Sequence, residues 1–263
     1  MPEPLQTPSP PPVRGLWGDA REALRAARAA RRESGFRAGV LAGARFALDM
    51  WRIRRIAFGA RLTLGRDHFE FWDERHRYFV HRYNETWRNE RAVELPLAIE
   101  RLRAARGEVL EVGNVLAHYI RVTHARVDKY ERGPGISNTD VVDIEAAPRY
   151  SLIISISTLE HVGFDEDPKD PTKFQRALVR LVACLAPGGE LFVTLPMGYN
   201  PAVDALVMEE IGDPFDQVLL LKRLSADNRW GPCTIYDAAA ARYGSPFPAA
   251  NVLAVCYLRR PAV

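Results

Sequence analysis

Seven short apolar runs, "EVLEVG", "ARVDKY", "DVVDI", "SLIISIS", "GELFVTLP", "VLLLKRL" and "NVLAVCYL", recur between Glu108 and Leu258, with helical patterning between them. Runs of four to eight residues rich in Val, Ile and Leu are what strands look like when helices cover both faces of a sheet. The pattern predicts an α/β fold, a doubly wound, mostly parallel seven-stranded sheet spanning residues 107–263. Ligands of such sheets sit beyond the carboxyl ends of the strands, where strand order reverses. The residues that end each strand are therefore the candidates for chemistry.

The chain ahead of the sheet divides by composition. Residues 1–16 are proline-rich and predict a disordered tail. Residues 17–66 predict a basic helical extension: Asp19 and Glu22 have capping-box spacing, and Arg21, Arg25, Arg28 and Arg32 share one helix face. Residues 1–66 carry 13 arginines against five acids, whereas the rest of the chain is net acidic, so the overall charge of +3 hides a polarised molecule. A basic stripe of this kind could touch an anionic membrane surface. Gly35, Gly39 and Gly43 repeat every four residues, but Arg37 and Arg45 and the shortness of the apolar stretch exclude a membrane-crossing helix. Base-stacking aromatics are not interleaved with the arginines, which argues against a nucleic-acid binder. With no signal core, and with Cys184, Cys233 and Cys256 odd in number and widely spaced, the sequence predicts a soluble cytoplasmic protein with reduced, structural thiols.

Residues 67–106 predict an aromatic-rich helical cap. Phe69, Phe71, Trp72, Tyr78, Phe79, Tyr83 and Trp87 crowd this segment, either as a packing surface or as a lid over a site. His68, His76 and His81 do not have the spacing of a zinc pair on one helical turn, and the carboxylates of "FDEDPKD" lack calcium-loop spacing, so no metal is expected.

"VLEVG", "VVDIEAAPRYSLIISISTLEHV" and "LAPGGELFVTLP" together resemble the class I S-adenosylmethionine-dependent methyltransferases over about Gly107 to Pro261. "YNETWRNERAVELP" and "LEVGNVLAHY" resemble a divergent subgroup of that superfamily associated with sugar-modifying genes. The resemblance implies a Rossmann-like methyltransferase fold, S-adenosylmethionine as cofactor, and methyl transfer to a small-molecule or glycan acceptor. Carried over by position, it implies cofactor contacts from Glu111, Gly113, Asn114, Asp128, Asp143, Ile144 and Ser157. Asp128 is the foremost of these, because a carboxylate ending the second strand can accept hydrogen bonds from both ribose hydroxyls. The departure is the loop after Gly113, where Asn114, Val115 and Leu116 stand in place of further glycines. Asn tolerates left-handed backbone, which would soften the loss, and His118 or Tyr119 could fill the space.

His161 and Glu160 follow the fourth strand and are the candidate catalytic residues, His161 because imidazole suits a general base near neutral pH. Tyr83, Trp87, Arg91, Tyr199 and Asn200 are candidate acceptor contacts, the first three from the aromatic segment acting as a lid. The eroded glycine loop also supports a second expectation, a methyltransferase-fold binding or scaffold protein that has lost catalysis.

Overall fold

The computed structural model describes residues 36–209 and 215–262. The proline-rich tail, the Asp19 and Glu22 capping box and the stripe from Arg21 to Arg32 lie outside the described residues. The description opens with helix α1 (Phe36–Thr63), followed by the hairpin strands β1 (His68–Phe71) and β2 (Glu74–Arg77). A kinked single-turn segment, Tyr83–Arg88, leads into α2 (Arg91–Ala104). Then come β3 (Glu108–Val112), β4 (Ala125–Val127), β5 (Ile136–Ser137), β6 (Tyr150–Ile156), α3 (Lys173–Cys184) and β7 (Leu185–Pro196). The chain closes with α4 (Pro201–Glu209), β8 (Gln217–Arg223), β9 (Trp230–Pro232), α5 (Ile235–Ala239) and β10 (Val252–Arg259).

Strands β3 to β10 form one sheet in the order β5-β4-β3-β6-β7-β10-β8-β9. β3 to β7 run parallel, and β10 inserts antiparallel between β7 and β8. This is the doubly wound, mostly parallel α/β sheet expected from the apolar runs, with the three-residue β9 as an added edge strand.

The alternation hidden within those runs sorts the two core layers. On β6, Ile153 faces one layer while Leu152, Ile154 and Ile156 face the other; on β10, Ala254 and Cys256 face the first, Leu253 and Val255 the second. Both layers are buried, so period two leaves no polar trace in the sequence. The amphipathic α3 covers the first layer through Phe174, Leu178 and Leu181. The second is covered by α2 and the aromatic segment.

Two expectations change at this level. Residues 67–106 are not helical throughout: residues 68–77 form the hairpin, and Phe69, Phe71, Tyr78 and Trp87 are buried in the second core layer instead of hanging over a site. β9 holds the segment there. The Tyr78 hydroxyl accepts from the Trp230 amide at 2.7 Å, and the Trp230 indole donates to Asn228 Oδ1 at 2.9 Å. "DVVDI" is also no strand: Val141–Asp143 is a helical turn, and the third parallel strand is Ile136–Ser137, just upstream. Among the described residues the three cysteines are free thiols, and no helix is long and apolar enough to cross a membrane.

Candidate active site

Strand order reverses between β3 and β6, since the chain moves from β3 outward to β4 and β5 and then returns to lay β6 on the other side. A cavity of about 390 Å³ opens at the carboxyl ends of these strands. Its apolar walls are Val112, Val127, Val141 and Val162, and its polar groups include Asp128, Lys129, Asp140, Ser157, His161, Asp165 and Glu166.

Gly113 forms the floor. Its φ of +90° suits glycine, its amide donates to the Val127 carbonyl at 2.7 Å, and a Cβ built there would sit 2.6 Å from Thr158 Oγ1. The residues that replace the later glycines do not adopt left-handed backbone; Asn114 is absent from that region. Asn114 is instead clamped sideways, donating to Glu131 Oε1 at 2.6 Å and accepting from Arg126 at 2.8 Å. Glu111 is fully buried beneath the loop, where it accepts from the Leu116 amide at 2.7 Å and meets His124 Nε2 at 2.8 Å. Both side chains shape the loop, and neither lines the cavity. His118 and Tyr119 pack against Tyr83, the His118 ring stacking on it at 4.5 Å.

Asp128 ends β4 at the cavity wall. Its Oδ1 accepts from the amides of Tyr130 and Glu131 at 2.8 and 2.7 Å, and among the described residues nothing bonds Oδ2. Asp143 and Ile144 lie off the cavity, with Asp143 facing α3. The acid that reaches the cavity from this segment is Asp140, three residues earlier, whose Oδ1 caps the turn at Val142 and whose Oδ2 takes Lys173 at 2.6 Å and Lys129 at 2.8 Å. Burial works against ionisation of Asp140 and Glu166, but the two lysine ammoniums outweigh it and hold both carboxyls below their ordinary range.

His161 follows β6, its side chain 46% exposed and open to an incoming molecule. Its Nδ1 lies 2.6 Å from Asp165 Oδ2, and the same oxygen accepts from the Tyr199 hydroxyl at 2.6 Å. The Tyr199 ring packs edge-on against His161 at 4.8 Å. Desolvation pushes the Asp165 carboxyl up, but the bonds from Tyr199 and His161 prevail and keep it below its usual value. Asp165, which the sequence placed in a loop of carboxylates without a metal pattern, thus becomes the partner of the candidate base.

Glu160 is 1% exposed and does not line the cavity; its Oε1 lies 3.6 Å from His161 Nε2, and its Oε2 has no hydrogen-bond partner. Burial, which disfavours the charged form, pushes its carboxyl well above the ordinary range. It borders a buried cluster contributed by α2. Glu94 accepts from Ser157 and, at 2.7 Å, from Thr194, while its other oxygen meets Arg91 at 2.5 Å. Arg91 is therefore committed to Glu94. Asn200 donates to the Glu160 carbonyl at 2.8 Å and caps α4 through Ala202, and Trp87 is core, with Arg61 above its ring. Of the expected acceptor contacts, only Tyr199 joins the His161 side of the cavity.

At the hairpin, Glu74, His76 and Glu100 bring ligand atoms within 4.8 Å of one another, a cluster that histidine spacing alone did not reveal. His76 bridges the two carboxylates and sits between Phe69 and Phe71.

Among solved structures, the chain is similar to several methyltransferases. The N-methyltransferase NodS from Bradyrhizobium japonicum, in complex with S-adenosyl-L-homocysteine, matches at 16% identity and a TM-score of 0.42, over 65% of this chain and 87% of that one. A 16S rRNA (adenine(1408)-N(1))-methyltransferase mutant from Catenulisporales acidiphilia, with cosubstrate SAM, matches at 15% identity and 0.36, over 62% and 89%. A methyltransferase described as a possible histamine N-methyltransferase from Thermotoga maritima matches at 14% and 0.36, over 61% and 86%. No family model matches the chain, and no curated protein does.

Proposed function

We propose that the chain binds S-adenosylmethionine in the cavity at the β3/β6 switch and directs methyl transfer to a small-molecule or sugar acceptor. The observation that carries this reading is Asp128: a carboxylate at the end of β4 that lines an apolar-walled cavity, with Oδ1 spent on its own turn and Oδ2 without a partner among the described residues. The volume, about 390 Å³, falls in the range of small-ligand sites. The residues present fit the cofactor. Asp128 would take the ribose hydroxyls, the valines would wall the purine, and the surplus of carboxylates over lysines suits a cationic sulfonium.

When bound, the cofactor supplies an electrophilic methyl group. The chain's part is to position the acceptor and take its proton. Asp165 would hold the proton of His161 on Nδ1, which leaves Nε2 as the basic atom, 3.6 Å from the buried Glu160 Oε1 and on a ring that is half exposed. Tyr199 fixes Asp165 from the other side and adds an aromatic wall against which an acceptor can rest.

One observation favours the second reading, a binding protein without turnover. Gly113 is followed by a single helical turn, Leu116–His118, and not by a long helix whose first amides would face the cofactor. Calorimetric titration with S-adenosylmethionine and S-adenosylhomocysteine separates the readings. Micromolar binding, about −8 kcal/mol, together with labelled methyl appearing in an acceptor supports the enzyme. Binding without transfer across a broad acceptor panel favours the scaffold, and no binding to either ligand in a folded sample removes the enzyme reading and leaves the scaffold.

A further inference from the structure

α1 is not absorbed by the site. Of its 28 residues, six are arginine and Asp49 is the one acid. Among the described residues, the exposed large apolar side chains concentrate here: Leu48, Trp51, Ile56 and Leu62 are all roughly half exposed or more. With about 100° of turn per residue, these four and Arg45, Arg52 and Arg55 fall within an arc of about 140°. Trp51, Leu62 and Leu48 gather toward one edge of the arc, and Arg52, Arg45 and Ile56 toward the other. Arg55 lies among the apolar three, its guanidinium 4.9 Å from the Trp51 ring centroid.

We propose that this face of α1 docks on an anionic lipid bilayer. A helix lying in a membrane interface buries Leu and Trp at the acyl boundary while the long arginine side chains beside them reach up to the phosphates, and the one exposed arc of α1 carries both kinds of residue. Arginine suits the role because its planar fork bonds phosphate oxygens in pairs. Charge complementarity also sets the orientation. The chain from residue 67 onward carries 28 acids against 23 bases, so an anionic surface attracts α1 and repels the α/β body. α1 joins that body at its carboxyl end, where Ala60 and Leu64 are buried and Arg61 lies over Trp87, so the exposed arc is left clear. A nucleic-acid phosphate backbone would leave Leu48 and Leu62 in water, and a second copy of α1 would bring like charges together.

The test is co-sedimentation of the full chain with vesicles of phosphatidylcholine containing one third phosphatidylglycerol, against vesicles of phosphatidylcholine alone. Binding should be at least tenfold tighter to the anionic vesicles and weaken steeply with salt. Arg45→Glu/Arg52→Glu/Arg55→Glu should lose it at least tenfold, and Leu48→Ser/Trp51→Ser/Leu62→Ser should lose it even at low salt. All six side chains are exposed, and an unchanged thermal melt confirms that each variant is folded. Equal binding to both vesicle types, no binding to either, tighter binding to duplex DNA or RNA, or self-association abolished by the serine variant would each overturn the proposal.

Discussion

His161 Nδ1 and Asp165 Oδ2 stand 2.6 Å apart, four residues along one loop, and the Tyr199 hydroxyl closes on the same oxygen from the end of β7. The pair fixes which imidazole nitrogen is basic. Asp165→Asn should therefore lower kcat about tenfold to a hundredfold while leaving cofactor affinity within about twofold, and Tyr199→Phe should show a smaller loss of the same kind. Steady-state transfer of labelled methyl, with calorimetry on the same samples, checks both. The folded Asp165 carboxyl titrates below its ordinary range, so the stability its bonds contribute is present above the ordinary carboxylate pKa and is lost as pH falls through the lowered value. Acid unfolding of Asp165→Asn should be correspondingly less steep. A cofactor-affinity loss as large as the kcat loss would mean that Asp165 shapes the pocket and does not position the base.

Asp128 bonds its own turn through Oδ1 alone, which allows that role and the proposed ribose contact to be tested separately. Asp128→Asn keeps an Oδ1 acceptor for the Tyr130 and Glu131 amides but replaces the other oxygen with a donor. The expected result is an unchanged melting temperature and at least a tenfold loss of S-adenosylhomocysteine affinity, equivalent to about 1.4 kcal/mol. Asp128→Ala should lose both affinity and about 1 kcal/mol of stability, since it strips the caps from the turn. Wild-type affinity in Asp128→Asn would rule out the Oδ2 contact.

How much of this was legible in the sequence depends on whether a residue's role is local. β6 and β7 read as strands because both their faces are buried, and Asp128 read as a site residue because it directly follows a strand. Asp143 was a three-residue slip. "TDVVDI" offers two acids flanking an apolar pair, and short apolar runs do not distinguish a strand from a helical turn, so the hydrogen bond from the Val142 amide to Asp140 had no sequence signature. Glu94 was invisible for a different reason. Its partners Ser157 and Thr194 lie 63 and 100 residues away, and nothing in "RAVELP" sets that acid apart from its neighbours. Asp165 was visible only as one carboxylate among four, because what singles it out is Tyr199, 34 residues downstream.

Gly113 meets two separate constraints, a φ of +90° and contact with Thr158. Gly113→Ala should destabilise the fold by about 1–3 kcal/mol and abolish cofactor binding. Thr158→Ala removes the side chain that the new Cβ would strike, so the double variant should recover the clash part of the loss but not the backbone part. Denaturant melts of the four proteins in the cycle measure the split. Full recovery would show that the backbone tolerates alanine there and that contact alone keeps this position glycine.

Glu160 gives the pH dependence with the opposite sign to that of Asp165. Burial raises its folded pKa well above the unfolded value, so the folded state holds a proton that the unfolded chain releases. Stability is then full below the ordinary carboxyl pKa and declines as pH rises toward the raised one, by about 1.4 kcal/mol per pH unit across that window. Glu160→Gln carries no such proton. Its stability relative to wild type should therefore climb as pH rises above the ordinary carboxyl pKa, whatever constant offset the amide introduces at the orphaned oxygen. Urea melts of both proteins at a series of pH values read this directly, and parallel stability curves would mean that Glu160 ionises in the folded state and is reached by water.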